Sequence, residues 1–402
     1  MIRQQHRDTG RRDLTDFTEL ADYRREIAGL VGKEIGKLGE HTRALKEMRS
    51  QLYMSELEKL LIERGLTAVA EAETQLTELA DLSRGSDTDA IFNELMTYAG
   101  YAFRRSIAAR TLFLRHTPTL MGFPQTLDPL QNHRLNPGKH IIDYARNAYL
   151  QFQNARSGSP RAFQDNPFLS AAARSMCETL YQRPCPLQAV LFSSAIGALG
   201  SLIDYVVMTS RDSDSFSLIG QRCWFEIWQY AKERYPDKLQ PVDEHDTQRI
   251  LEAIEDPRVT SIILEPIGNH PDMAVIDLEE IARKLQSTIF QRPKLIVFDT
   301  VHTPELDIFS RYFRDSLPDN LCISTVISGV KFMQAGWDLS KSGLVCLRCN
   351  EGQFIFEERT LYEKLLEIRS VSGRAPSIEE ALLADIETAD SLHSRIRRYD
   401  VN

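Results

Sequence analysis

Along the first hundred residues, apolar side chains recur at three- and four-residue spacing with charges between them. LADYRREIAGLVGKEIGKLGEHTRALKEM, QLYMSELEKLLIERGL and AEAETQLTELADL all carry this pattern, which predicts amphipathic helices. RGSDTDA (84–90) breaks the pattern and offers caps for a further helix, IFNELMTYAGYAFRRSIAARTLFL. Residues 1–115 are therefore expected to form an α-helical bundle or arm for docking or dimerisation. Residues 116–160 change character. Pro and Asn crowd HTPTLMGFPQTLDPLQNHRLNPGKH, so a connector of irregular structure is expected there.

From residue 161 to 402 the period changes again. QAVLFSS, VTSIILEP, KLIVFD, NLCISTVIS and SGLVCLRC are short apolar runs that read as buried strands. AIGALGSLIDYVVM and DLEEIARKLQSTI read as helices, the second opened by Asp277. Apolar strands alternating with helices predict an α/β fold, a mostly parallel sheet covered on both faces in three layers. In such sheets ligands sit beyond the carboxyl ends of the strands.

Composition narrows the partners. A net charge of −9 argues against nucleic acid or an anionic membrane surface. The one long apolar stretch, residues 189–208, is broken by serines and Asp204, so a strand feeding a helix explains it better than a membrane span. MIRQQHRDTGRRD has no apolar core and is not a secretory signal. Six scattered cysteines are too sparse for a disulfide framework and are expected to be reduced thiols in a cytoplasmic protein. Cys346 and Cys349 form a lone CxxC without a second ligand pair nearby, so no metal site is assigned.

The residues with chemical potential cluster at predicted strand ends. Asp299 closes KLIVFD and needs a partner, because an unpaired buried carboxylate is costly. A helix N-terminus or an arginine is the ordinary partner; a protonated pyridine nitrogen is the functional one. Ser328 ends NLCISTVIS and Lys331 follows in a Gly-containing turn. A lysine there is either a solvated loop residue or, once desolvated, a nucleophile toward an aldehyde. FSSAIGALG turns a strand into a helix at Ser194, Ala195 and Ile196, where backbone N–H groups can cradle a phosphate. Trp224 is either core or a stacking surface for a planar ring. Asn269 is a turn residue or a donor to a phenolate oxygen. His302 follows Asp299 by three.

The order of these pieces resembles the cystathionine synthase/lyase family, the Cys/Met-metabolism branch of fold-type I enzymes dependent on pyridoxal 5′-phosphate (PLP). The resemblance runs from about Phe163 to the end. Asn166–Pro167 resembles the family's Asn-Pro-Thr segment, VLFSSAIGAL its phosphate turn, and WFEIW the stretch carrying its ring-stacking tyrosine, which falls on Trp224. EPIGNHPDM resembles its Pro-x-Asn-Pro loop, VFDTVHTPEL its Asp-Asn-Thr-x-x-x-Pro segment, and SGVKFMQAGWD its Ser-x-Thr-Lys-Tyr segment. The resemblance implies the large cofactor-binding domain of that fold over residues 161–402, with PLP as cofactor and Lys331 as the Schiff-base lysine, preferred to Lys341. It further implies Asp299 on the pyridine nitrogen, Trp224 stacked on the ring, and Asn269 or His302 near the phenolate. Ser194, Ala195, Ile196 and Ser328 would hold the phosphate.

The activity so implied is β- or γ-elimination or replacement on an amino-acid substrate. Aminotransfer or acyl transfer is the alternative reaction, and a noncatalytic PLP-fold scaffold the alternative of another class. A homodimer or larger homo-oligomer is implied, with a further partner for the helical region open. The sequence departs from the family at Val330 and Ala195, and the family's Tyr and Arg preceding Asn-Pro fall at Arg161 and Phe163, where Arg161 keeps a charge but the tyrosine hydroxyl is gone. The family's small C-terminal domain has no counterpart in this chain. The expectation is that it was truncated, is supplied by another chain, or was lost together with activity.

Overall fold

The computed structural model describes residues 17–49, 56–84, 101–109, 167–181, 187–209, 214–268, 275–303, 306–314, 316–329, 333, 340–350, 355–356 and 359–384. The chain divides into two units, Met1–Gln125 and Thr126–Asn402. The connector expected over 116–160 lies outside the described residues.

The first unit contains α1 (Phe17–Arg49), α2 (Glu56–Arg84) and α3 (101–109). Along α1 the residues Ile27, Val31, Glu34, Leu38, His41 and Leu45 are buried. Their four-three alternation is the 3.5-residue repeat of a coiled-coil seam. Ile62, Val69, Ala72, Leu76 and Leu79 continue it on α2, which packs on α1. Glu34 is a charge at a seam position. The buried Ser106 hydroxyl of α3 donates to its Oε1 at 2.6 Å, which satisfies part of the buried carboxylate.

The second unit is a seven-stranded sheet in the order β1-β7-β6-β5-β4-β2-β3. The strands are β1 (Gln188–Phe192), β2 (Phe216–Gly220), β3 (Leu239–Val242), β4 (Val259–Leu264), β5 (Lys294–Asp299), β6 (Leu321–Ser328) and β7 (Gly343–Cys349). Strands β1 to β6 run in one direction, and β7 alone runs against them between β1 and β6. All residues of β5 and β6 are buried, as a central strand covered on both faces requires.

Helices cover both faces. On one lie α4 (Pro167–Tyr181), α7 (Thr247–Glu255), α8 (Leu278–Ser287), α9 (Ile308–Tyr312) and α11 (Ile378–Ala384). On the other lie α5 (Ala195–Thr209), α6 (Phe225–Arg234) and α10 (Leu361–Val371). The expected three-layer α/β architecture is present. Helix starts follow local chemistry: the Asp246, Asp277 and Asp307 side chains accept the third backbone N–H of α7, α8 and α9. Thr360 and Glu363 form a reciprocal capping box on α10. A two-stranded ribbon, β8 (Ile355–Phe356) with β9 (Arg359–Thr360), precedes α10.

Two cysteine expectations meet the structure differently. Cys223, Cys322, Cys346 and Cys349 are free, whereas Cys177 is disulfide-bonded, so the expectation of reduced thiols fails at Cys177. One pairing needs only two thiols within reach and leaves no mark in the cysteine count. Cys346 and Cys349 lie three apart on β7, and so on opposite faces: Cys346 packs in the α4 layer and Cys349 in the α5 layer. That geometry does not let the CxxC close on one ion.

At the amino edge of the sheet, Lys294 is buried and donates to the carbonyls of Ala253, Ile254 and Asp256, at 2.9, 2.7 and 2.9 Å. It thereby satisfies the carbonyls left open at the end of α7. Burial pulls its pKa down to about 8, against the opposing pull of Asp256. Lys294→Met is expected to cost about 1–3 kcal/mol by stranding those acceptors. From pH 8 to about 10.4 the unfolded chain holds the lysine proton that the folded chain has released. The lysine's contribution to stability therefore rises with pH across that window. Urea unfolding of both proteins at pH 7 and pH 9 checks the loss and its direction with pH. Equal midpoints at both pH values refute this reading of Lys294.

Candidate functional site

Six parallel strands deliver their carboxyl ends to one edge, and strand alternation decides which side chains share a face there. On β5, Leu295 and Val297 face the α5 layer while Ile296 and Phe298 face the other. The next residue in the first series is Asp299, which is buried. On β6, Cys322 and Val326 face the α5 layer, which places the buried Ser328 on that face too. On β4, Ile263 faces the α5 layer, and so does Glu265 just past the strand end. Asp299, Ser328 and Glu265 therefore converge on the face that also holds the N-termini of α5 and α6.

Register brings them into line. Asp299 pairs with Val326, and Thr300 N–H donates to the Val326 carbonyl at 2.9 Å. Ser328 pairs with Gly343, which in turn pairs with Phe192 at the end of β1. The turn that starts α5 thus lies two strands from Ser328 at the same edge.

That turn is packed backbone to backbone. A Cβ at Gly343 would lie 2.4 Å from the Ser194 carbonyl oxygen and 2.5 Å from the Ala195 nitrogen, so only glycine admits the turn there. Ser194 caps α5: its Oγ accepts from Gly197 N–H at 2.9 Å, and its carbonyl from Ala198 N–H at 3.0 Å. The N–H groups of Ala195 and Ile196 make no hydrogen bond among the described residues. Ile196 is 39% exposed, so this end of α5 is open. Two N–H donors left open at a helix start can bind an oxyanion.

Arg374, just past α10, fixes the turn from behind. Its carbonyl accepts from Ser193 N–H at 2.9 Å, and its guanidinium donates to Ser201, Asp204 and Tyr230, each at 2.9 Å. Asp204 also accepts from the Tyr230 and Tyr235 hydroxyls at 2.7 and 2.8 Å. This network joins α5, α6 and the turn at Ser193–Ser194. Nothing in GRAPS marks Arg374 in the sequence, because its side-chain partners lie 144 to 173 residues away.

On the other side of Asp299 stands the loop from β2 to α6. Trp224 is the N-cap of α6, and its N–H donates to Glu265 Oε1 at 2.6 Å. Its indole N–H donates to Glu226 at 2.8 Å. The Trp224 ring lies 6.3 Å from that of His302, tilted by 44°, which sets it over the loop leaving β5. Asp299 Oδ1 accepts from Val301 N–H at 3.0 Å. Cys223 sits between: burial first, then Glu265, Glu244 and Asp299, push its thiol well above the usual range. Glu244 accepts from Arg222 N–H with both oxygens at 3.1 Å, and burial raises its pKa. Glu265 and Glu244 thus clamp the loop that presents Trp224. Glu265 is legible as a carboxylate closing an apolar run, while Cys223 and Glu244 carry no signal in the sequence.

No family model matches the chain, and no curated protein matches it. Among solved structures, a cystathionine gamma-lyase from Micromonospora echinospora is 17% identical with a TM-score of 0.41, covering 59% of this chain and 55% of its own. A cystathionine gamma-lyase from yeast is 17% identical with a TM-score of 0.40, covering 57% and 51%. The histidinol-phosphate aminotransferase from Clostridium acetobutylicum is 12% identical with a TM-score of 0.39, covering 61% and 68%. The chain spans about half the length of the two lyases.

Of the expected site residues, Asp299, Trp224, His302, Ser194, Ala195, Ile196 and Ser328 lie at this edge. Lys331 and Asn269 lie outside the described residues. Lys341, the competing lysine, is exposed two residues before β7. Gly343→Ala is expected to displace the Ser194–Ala195 backbone and to destabilise the second unit by about 1–3 kcal/mol. Guanidinium unfolding followed by fluorescence reads this directly, and an unshifted midpoint contradicts the packing described.

Proposed function

We propose that the chain binds PLP at the carboxyl edge of its sheet and acts on an amino-acid substrate. One observation carries the reading. A buried carboxylate at the end of β5, an aromatic ring over the following loop and two open N–H groups at the start of α5 share one face and one edge. They match the three demands of the cofactor: a charged ring nitrogen, a flat π face and a phosphate. The residues present fit the group. Asp299 would hold the pyridine nitrogen and Trp224 would stack on the ring. Ala195 and Ile196, with Ser194 and Ser328, would hold the phosphate. Asn269 or His302 would donate toward the phenolate oxygen.

When bound, PLP supplies an electron sink for charge that develops at the substrate Cα. The chain's own tasks are then plain. Asp299 keeps the ring nitrogen protonated by charge pairing. Trp224, whose N–H is held by Glu265, would stack on the ring. Lys331 would hold the cofactor through its amine and would move the proton at the substrate Cα. Elimination or replacement at the β- or γ-carbon of a sulfur- or oxygen-substituted amino acid is the reaction proposed. A homo-oligomer is proposed as the working form.

The test is reconstitution with PLP. The expected product is yellow. Borohydride treatment should leave the pyridoxyl group on the peptide carrying Lys331, and Lys331→Ala should abolish both. Asp299→Ala should lose about 1.5–3 kcal/mol of charge-assisted binding, roughly 10- to 150-fold in Kd, measured by quenching of tryptophan fluorescence. A colourless wild type whose Lys331→Ala variant is indistinguishable from it would sink the enzyme reading and leave a noncatalytic scaffold.

A further inference from the structure

Cys322 on β6 and Cys349 on β7 stand directly opposite each other. Their pair type follows from parity. Gly329 N–H donates to the Ser342 carbonyl at 2.8 Å, so 329 and 342 are a hydrogen-bonded pair. The register runs unbroken from Ser328 back to Cys322, and pair types alternate along an antiparallel ladder. Cys322 and Cys349 are therefore a non-hydrogen-bonded pair, the type with the closer side chains. Its Cα atoms are about 4.5 Å apart, within the roughly 4.4–6.8 Å that a disulfide spans.

Both sulfurs lie on the α5 face. Cys322 belongs to that core layer and Cys349 packs against it. They share a neighbour in Tyr205, whose phenol is pushed up by burial first, then by Cys322 and Cys349. Their access differs: Cys322 is buried, and Cys349 is partly exposed at the sheet's amino edge. Burial, then the adjacent Cys349, holds the Cys322 thiol protonated well above the usual range. Both are free. Cys346 faces the other layer, 3.8 Å from the Sγ of Cys177, which is disulfide-bonded.

We propose that Cys322 and Cys349 form an oxidisable pair that closes into a cross-strand disulfide when a peroxide supplies the oxidant. The Cys349 thiolate attacks one oxygen of hydrogen peroxide. The O–O bond breaks, water leaves after protonation, and Cys349 becomes a sulfenic acid. Cys322 gives up its proton and attacks that sulfur; the S–O bond breaks and a second water leaves. Two thiols lose two electrons in all, and one peroxide is reduced to two waters. The bond closes a loop containing Ser328, Lys331 and Gly343. It thus ties together the two strands that lead to the carboxyl edge, from their far ends.

Full-length protein treated with one equivalent of hydrogen peroxide, alkylated and digested without reductant tests this by mass spectrometry. The expected result is a linked pair of peptides through Cys322 and Cys349, lighter by two hydrogens than the two free peptides. It should vanish in Cys349→Ser and in Cys322→Ala. The melting temperature of the wild type should rise on oxidation while that of Cys349→Ser does not. Alkylation of both cysteines after peroxide treatment overturns the proposal. So does a Cys349 that stops at sulfinic acid beside an alkylated Cys322. Cys349 is partly exposed, so its serine variant keeps the fold and the comparison is clean.

Discussion

A carboxylate that ends a buried strand must find hydrogen-bond donors, and at this sheet edge the donors are backbone N–H groups of the loops after β2 and β5. Glu265 takes the N–H of Trp224, Glu244 that of Arg222, and Asp299 that of Val301. The need to satisfy these acids shapes the loops, and the loops then place the aromatic ring and the helix starts. Strand alternation supplies the other half of the constraint. Because Asp299, Ser328 and Glu265 sit at matching parity, one face receives all three.

Rigidity behind the edge comes from two contacts of different character. Gly343 lets β7 touch the backbone of the Ser194–Ala195 turn, which no side chain would permit. Arg374 holds the same turn through its carbonyl while its guanidinium joins Ser201, Asp204 and Tyr230. A partly buried ion pair of this kind contributes mainly by fixing one arrangement, since desolvation offsets much of its attraction. An open pair of N–H groups keeps its aim only when the turn beneath it is held in this way.

Much of this was legible in the chain. Asp277 marked the start of α8, and the apolar runs gave β1, β4, β5, β6 and β7 close to their limits. β2 and β3 carry no clear strand signal in the sequence. FSLIG is short, and LQPV contains Pro241, which a central strand does not tolerate. β3 lies at the sheet edge, where Pro241 is acceptable. The reversal of β7 has no local signal either, because direction is set by pairing. The strand-end position of Asp299 was readable from KLIVFD, whereas Arg374, Glu244 and Cys223 act through contacts distant in sequence. The heptad seam on α1 was visible as spacing, but the partnership of Glu34 with Ser106 needed the third helix.

The proposed function requires that the Asp299 carboxylate and the Lys331 amine face one ligand. A crystal structure of the protein grown with PLP tests it most directly. The expected result is the ring nitrogen at the Asp299 carboxylate, the phosphate on the N–H groups of Ala195 and Ile196, and electron density continuous with Lys331. A cofactor bound elsewhere, or Lys331 on the α4 face of the sheet, would contradict it.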